Sequence, residues 1–459
     1  MLDNNQISKF NKDKNVGVYD IYVKLYFRIR FKLEDSITRT YKPKVKCDLT
    51  VPLRTDYETN FTFIRLIPTI VTYVQMAMEV TQILLNAQAV DGAVRKQAEN
   101  KLKQFQEQNL PSFLLTLAGE LSNDEKPPES RRLAGLILKN ALDSKELQWQ
   151  WLSINPIPTF KAQIKAFLLT TLTTSPYPDA RSTASQVIAK VAAIELPHNQ
   201  WPELIESLLS NVHQQLPSST RQATFKTLGY ICEDVSPDVL DQDNVNKILT
   251  AVVLGMNSTE KNSHVRLAAI EALHNALCFA QANFSMDMDR NYIMKIVCEA
   301  TLSPELKIRQ VAFECLVAIS FTYYEKLAPY IQNIFTITAK AVREDHETVA
   351  LRAIEFWSSI CEEEIEILEE YRDEFSSDSY IPCFYFIKKT LPFLVPVLLE
   401  TLLKKEKEDQ DQDEGAWNIA MAGSTCLGLV ARTVGDDLIV PLVMPFIQEN
   451  NIPHWRVLE

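Results

Sequence analysis

Glycine is scarce: there are 10 in a chain of 459 residues, against a usual share of about 7%. That disfavours Gly-rich phosphate loops and tight hairpins and suits a helical protein. The eight cysteines (47, 232, 278, 298, 315, 361, 383 and 426) form no CxxC pair and no Cys/His cluster. Neither a metal site nor a redox motif is indicated, and reduced, buried thiols of an intracellular protein are the better reading. Long apolar runs are missing too. The longest clean one, "LPFLVPVLLETLL" (391–403), is too short to span a bilayer, and the first residues lack the apolar core of a secretory signal. A soluble chain without a membrane partner is expected. Catalytic signatures are also lacking: there is no GxxxxGK[ST], no HExxH and no GxSxG, and the six His are scattered. No enzyme, catalytic residue or cofactor is indicated.

Basic charge is in deficit, but unevenly. The net charge is −12, yet residues 1–75 hold 13 Lys/Arg against 8 Asp/Glu, a balance of +5 that leaves −17 on residues 76–459. An acidic body argues against a nucleic-acid binder and favours basic partners.

What the chain does have is a repeated helix face. "HVRLAAIEALHNAL" (264–277) and "KIRQVAFECLVAI" (307–319) share Val265-Arg266-Ala269-Leu273 and Ile308-Arg309-Ala312-Leu316, 43 residues apart. The frame of apolar or small residue, Arg, Ala at plus four and large apolar at plus eight recurs. Its other copies begin at Val94, Ser130, Ala180, Thr220 and, without the Arg, Val349; a looser one follows at Asn418-Ala422-Cys426, and Trp455-Arg456 begins another. Before the frames lie further amphipathic segments such as 110–121, 201–212, 248–256 and 330–342. This is the ~40–47-residue period of stacked helix pairs. The expected fold is all-α, an α-solenoid of HEAT type over residues 76–459, with about eight repeats and a truncated ninth. The small residue at plus four admits close helix approach, and the residue at plus eight fills the core. The recurring Arg is read as a brace to an acidic neighbour rather than a ligand contact.

Three segments break the pattern. Residues 1–75 show strand-prone alternation ("DIYVKLYFRIRFKL") and no repeat, and are expected to be an unrelated or disordered extension. Residues 362–375 ("EEEIEILEEYRDEF") extend one helix with eight acids and a single Arg. Residues 406–414 ("EKEDQDQDE") insert six acids and one Lys inside a helix pair, where connections are normally short.

"VRKQAENKLKQFQ" (94–106) resembles the opening repeat of the importin-β superfamily, with Arg95, Ala98, Glu99, Leu102 and Phe105 in the family's places. "NQWPELIESLL", "FAQANF", "VCEAT", "IEFWSSICEEE" and the acidic loop ending at Trp417 narrow the likeness to the importin-β (karyopherin-β1) branch, with a plant-like flavour. It covers residues 76–459; the extension matches nothing in the family, which continues well beyond a ninth repeat. The resemblance implies a nuclear import receptor of the cytoplasm, nucleus and nuclear pore. Its implied partners are Ran·GTP, Phe-Gly nucleoporins, the importin-α adaptor (held weakly by so short an array) and basic import signals of cargo. It places Ran on the second helices of the first four repeats (94–106 to 220–235) and on Glu408, Asp409, Asp411, Asp413 and Glu414. It places nucleoporins on Leu249, Thr250, Val253, Asp289, Tyr292 and Ile293, and makes Trp417 a cargo- or adaptor-facing residue. Spacings of i, i+1, i+4 and i, i+3, i+4 set each nucleoporin group on one helix face, beside the plainer reading of packing between repeats. The competing function is another HEAT-repeat protein, an exportin or a phosphatase scaffolding subunit. The long acidic insertion and the first repeat count against it.

Overall fold

The computed structural model describes residues 79–153, 158–370, 382–404 and 417–450, and four strands between 18 and 52. Contacts divide the chain into two units, Met1–Pro68 and Thr69–Glu459. In the first, β1 (Val18–Tyr26) runs antiparallel to β4 (Lys44–Pro52), and β2 (Ile29–Lys32) to β3 (Thr38–Tyr41). Both ladders keep one register, from Val18↔Pro52 to Lys32↔Thr38. The alternation seen in the sequence there is strand alternation.

The second unit is helical throughout its described residues. The first pair is α1 (79–86) with α2 (Gly92–Gln108), and the second is α3 (Leu110–Ser122) with α4 (Pro128–Asp143). An extra helix, α5 (Lys145–Ser153), precedes the third pair, α6 (Pro158–Thr174) and α7 (Pro178–Glu195). Then come α8 (Leu204–Leu209) with α9 (Ser218–Asp234), and α10 (Gln242–Met256) with α11 (Ser263–Ala276). The sixth repeat sets α12 (Gln281–Ser285) and α13 (Asp287–Ala300) against α14 (Leu306–Thr322). The seventh and eighth are α15 (Ile331–Glu344) with α16 (Glu347–Glu370), and α17 (Phe386–Leu402) with α18 (Ile419–Val434); α19 (Asp436–Asn450) follows. From α4 to α18, each second helix packs on the second helix of the next repeat. The arrangement is the expected α-solenoid.

Local chemistry sets the starts. The side chains of Asp91, Asn109, Asp241, Asn262 and Asn418 accept from first-turn N–H groups of α2, α3, α10, α11 and α18. The segment 201–212 forms a shorter helix than its pattern suggests: Pro202 precedes it, and its end tightens to Asn211 N–H on the Leu208 carbonyl.

The frame residues are the core. Every plus-four residue (Ala98, Ala134, Ala184, Thr224, Ala269, Ala312, Ala353 and Ala422) is buried, as is every plus-eight residue from Leu102 to Cys426. Thr224, the departure from Ala, satisfies its hydroxyl on the Thr220 carbonyl. Gly229 marks how tight the stack is: a Cβ there would meet the Ala272 Cα at 3.1 Å.

Three of the frame arginines reach the next repeat. Arg309 donates to both carboxylate oxygens of Asp345 at 2.7 Å, and reaches its own inter-helix turn through the Ser303 and Pro304 carbonyls. Arg221 pairs with the buried Glu260 and the Leu216 carbonyl. Arg131, itself buried, takes the Leu121 carbonyl, Asp124 and Ser175 of the next repeat. Arg95 and Arg181 reach only carbonyls of their own turns.

The acidic stretch that begins at 362 is not simply a solvated face. Glu364 is buried and accepts from the Tyr324 hydroxyl (2.9 Å) and the Phe386 N–H. It thereby caps α17, whose N-cap residue Tyr385 is left-handed (φ 54) and makes no side-chain cap bond. Burial pushes the Glu364 carboxyl above its ordinary 4.5, in spite of these donors.

Two outcomes are expected. Arg309→Met strands Asp345 and should cost about 1–3 kcal/mol, read as a lower midpoint in thermal unfolding; Arg95→Met should change little. Glu364 binds its proton more tightly folded than unfolded. Its contribution is therefore full below its unfolded value and fades as pH rises from about 4.5 through its raised folded value. Glu364→Gln, whose amide oxygen can take the same two donors, should flatten this part of the pH–stability curve relative to the parent. Glu364→Ala should destabilise at every pH.

Candidate partner-docking surface

The residues singled out from the sequence fall in three places. Glu408, Asp409, Asp411, Asp413 and Glu414 lie outside the described residues. Trp417 is half-buried against the hydrophobic core, directly before Asn418, the N-cap of α18. The remaining six sit on α10 and α13, first helices of successive repeats that pack side by side.

Those six divide by burial. Leu249, Val253 and Ile293 are 4%, 2% and 4% exposed, so they are packing residues. Leu249 also packs beside Cys232, Val245, Ile248, Ala276 and Phe279, which places it toward the interior. Thr250, Asp289 and Tyr292 are exposed. The reason is rotational. Leu249 and Val253 form one i, i+4 row, while Thr250 belongs to the next row round the helix. That outward row continues to Leu254, 58% exposed, and Tyr292 likewise continues to Met288, 84% exposed. Leu254 and Met288 were not singled out from the sequence. The signal for them was available as the i+4 neighbour of Thr250 and the i−4 neighbour of Tyr292.

A polar clamp ties the starts of the two helices together. Asn283 donates to Asn246 Oδ1 (2.9 Å) and to Asp289 Oδ2 (3.0 Å), and Gln242 donates to Asn246 Oδ1 (2.9 Å) and Asn283 Oδ1 (3.2 Å). Asp289 therefore holds the joint in register and adds negative charge at the N-terminus of α13. Thr250 donates to the Asn246 carbonyl, so its hydroxyl proton is already used. The exposed faces of the two helices thus carry Leu254, Met288 and Tyr292 among polar side chains, with the clamp at one end.

Around this surface the thiols are quiet. Cys232 and Cys298 are buried free thiols, pushed by burial up to about 12 and about 11. No group of His, Cys, Asp and Glu among the described residues is arranged to hold a metal ion, and no described helix is long and apolar enough to cross a membrane.

Substitution should separate the two rows. Val253→Asp or Ile293→Asp puts a charge into the core and should cost at least a few kcal/mol, seen as early melting by circular dichroism. Tyr292→Ser and Leu254→Ser should stay within about 0.5 kcal/mol of the parent. Equal melting of all four would contradict the division into rows.

The arrangement has close counterparts among known proteins. Residues 98–174 match the family described as the importin-beta N-terminal domain. Importin subunit beta-1 of Arabidopsis thaliana is 70% identical over 391 residues, covering 84% of this chain and 44% of that protein. Kap95p, the yeast importin-beta, superposes in its complex with RanGDP at a TM-score of 0.75 with 33% identity, over 83% of this chain and 44% of Kap95p. Its complex with Nup1 gives a TM-score of 0.72 with 34% identity over the same shares. The chain spans about half the length of the relatives it matches. On its helix-pair stack, its first repeats and this likeness over most of its length, the chain belongs to the importin-β family.

Proposed function

We propose that this chain acts as the pore-docking and Ran-binding part of a nuclear import receptor. It would hold Phe-Gly nucleoporins on its first helices, carry cargo between cytoplasm and nucleus, and release it on binding Ran·GTP. The observation that carries the reading is the set of exposed apolar side chains on α10 and α13 of a solenoid that superposes on Kap95p, a protein solved with RanGDP and with Nup1. Thr250, Leu254, Met288 and Tyr292 offer exposed side chains there. A phenyl ring set between neighbouring helices gains by leaving water, and glycine beside it lets the peptide backbone come close.

Charge supports the Ran half of the proposal. Residues 76–459 carry −17, so basic surfaces are drawn to the chain over distances longer than a contact. Glu408, Asp409, Asp411, Asp413 and Glu414 would supply the densest part of that field, and the second helices α2, α4, α7 and α9 the rest of the Ran surface. Importin-α and basic import signals are proposed partners on the same electrostatic ground, with Trp417 at the edge of their surface.

The test titrates the chain separately with Ran loaded with a non-hydrolysable GTP analogue and with a Phe-Gly repeat peptide. Both should bind, and only Ran binding should fall steeply as salt rises. Changing the five loop acids to Asn or Gln should weaken Ran by about tenfold or more and leave the peptide unaffected. Unchanged Ran affinity would remove the loop from the interface, and absence of binding to both ligands would overturn the proposal.

A further inference from the structure

The first helices of the fifth and sixth repeats hold an unusual concentration of exposed apolar side chains. Leu254, Met286, Met288 and Tyr292 all lie on or immediately beside α10 and α13. Two of the four are methionines. Met288 stands one helical turn before Tyr292, on the same face of α13, and is among the most exposed large apolar residues of the described chain. Met286 is the N-cap residue of α13 and is also largely exposed.

Exposure of this degree gives the α13 backbone no need of the Met288 side chain. The clamp that fixes the start of the helix is made by Gln242, Asn246, Asn283 and Asp289. Its thioether is flexible, polarizable and well suited to aromatic side chains, with sulfur meeting the ring edge. It lies on the same helical row as Tyr292, one turn before it. We propose that Met288 forms part of the docking surface for the phenyl rings of Phe-Gly segments, and that its oxidation by peroxide to the sulfoxide switches docking down. The inference rests on the nucleoporin reading above and adds to it a chemical control at one of its exposed side chains.

The reaction needs only the peroxide. The thioether sulfur attacks one peroxide oxygen, the O–O bond breaks and an S–O bond forms. The sulfur loses two electrons, and the second oxygen leaves as water after proton transfer. The product is polar where an apolar side chain stood, so a ring seated against it loses apolar contact and must desolvate the new oxygen. The step is reversible by methionine sulfoxide reductase. Buried methionines such as Met256 and Met294 are shielded by the fold, so mild peroxide selects the surface residues.

The experiment uses the full chain and a Phe-Gly repeat peptide, titrated before and after mild hydrogen peroxide, with peptide mass spectrometry locating the added oxygen. Affinity should fall threefold or more as Met288 gains one oxygen, and return after treatment with the reductase. Met288→Leu should keep most of its own, separately measured affinity on oxidation, whereas Met286→Leu should lose affinity as the parent does. An unchanged circular dichroism melt would separate this from unfolding. Equal loss in Met288→Leu and in the parent, or no loss in the oxidised parent, would overturn the switch while leaving the docking surface intact. No peptide binding before oxidation would overturn the surface itself, and the switch with it.

Discussion

Everything in the helical unit depends on how closely successive second helices approach. Glycine keeps that approach close: a Cβ on Gly229 would meet the Ala272 Cα at 3.1 Å, and one on Gly135 would run into the Thr183 side chain. A larger side chain there would push the helices apart and open gaps around the plus-eight residues, losing dispersion contacts on both sides. Gly423 shows the same limit inside one pair, since a Cβ at that position would sit 1.9 Å from Thr401 Oγ1. No single pair buries its own face, so stability accrues pair by pair along the stack.

Close approach makes polar braces possible and also demands them. Once the turns of neighbouring repeats lie side by side, a buried arginine or glutamate can reach from one to the next. The spacing of these pairs is about one repeat: Arg221 to Glu260, Arg309 to Asp345, Tyr324 to Glu364 and Trp151 to Glu195. At Glu195 two lysines, Lys161 and Lys165, also converge on a fully buried carboxylate. Such groups hold a register more than they add net stability, because their desolvation offsets much of their attraction. Removing one partner is far more damaging than never having had the pair.

The proposed docking surface is a by-product of the same stacking. The two first helices pack side by side as their second helices do, and where they meet buried residues alternate with exposed ones. Val253 and Ile293 are buried, while Thr250, Leu254, Met288 and Tyr292 are exposed. A partner there meets these exposed side chains, with the Gln242–Asn246–Asn283–Asp289 clamp at one end.

Periodicity alone determined the architecture: the Arg–Ala–Leu frame, spaced about a repeat apart, has few physical solutions besides stacked helix pairs. The bracing role read for the arginine holds at Arg221 and Arg309, which pair with acids of the next repeat, and not at Arg95 and Arg181, which turn back to their own carbonyls. Which side chains face out on α10 was not legible. A window of apolar residues such as "ILTAVVLGM" does not state its own rotation, and a shift of one residue turns the face by about 100°. Only the packing of α10 against α11 and α13 decided that Val253 is buried and Leu254 exposed. Likewise, nothing local to "EEEIEILEE" separates Glu364 from the acids around it. Its burial depends on Tyr324, 40 residues before it, and on Phe386 after it, a juxtaposition that exists only in the folded stack.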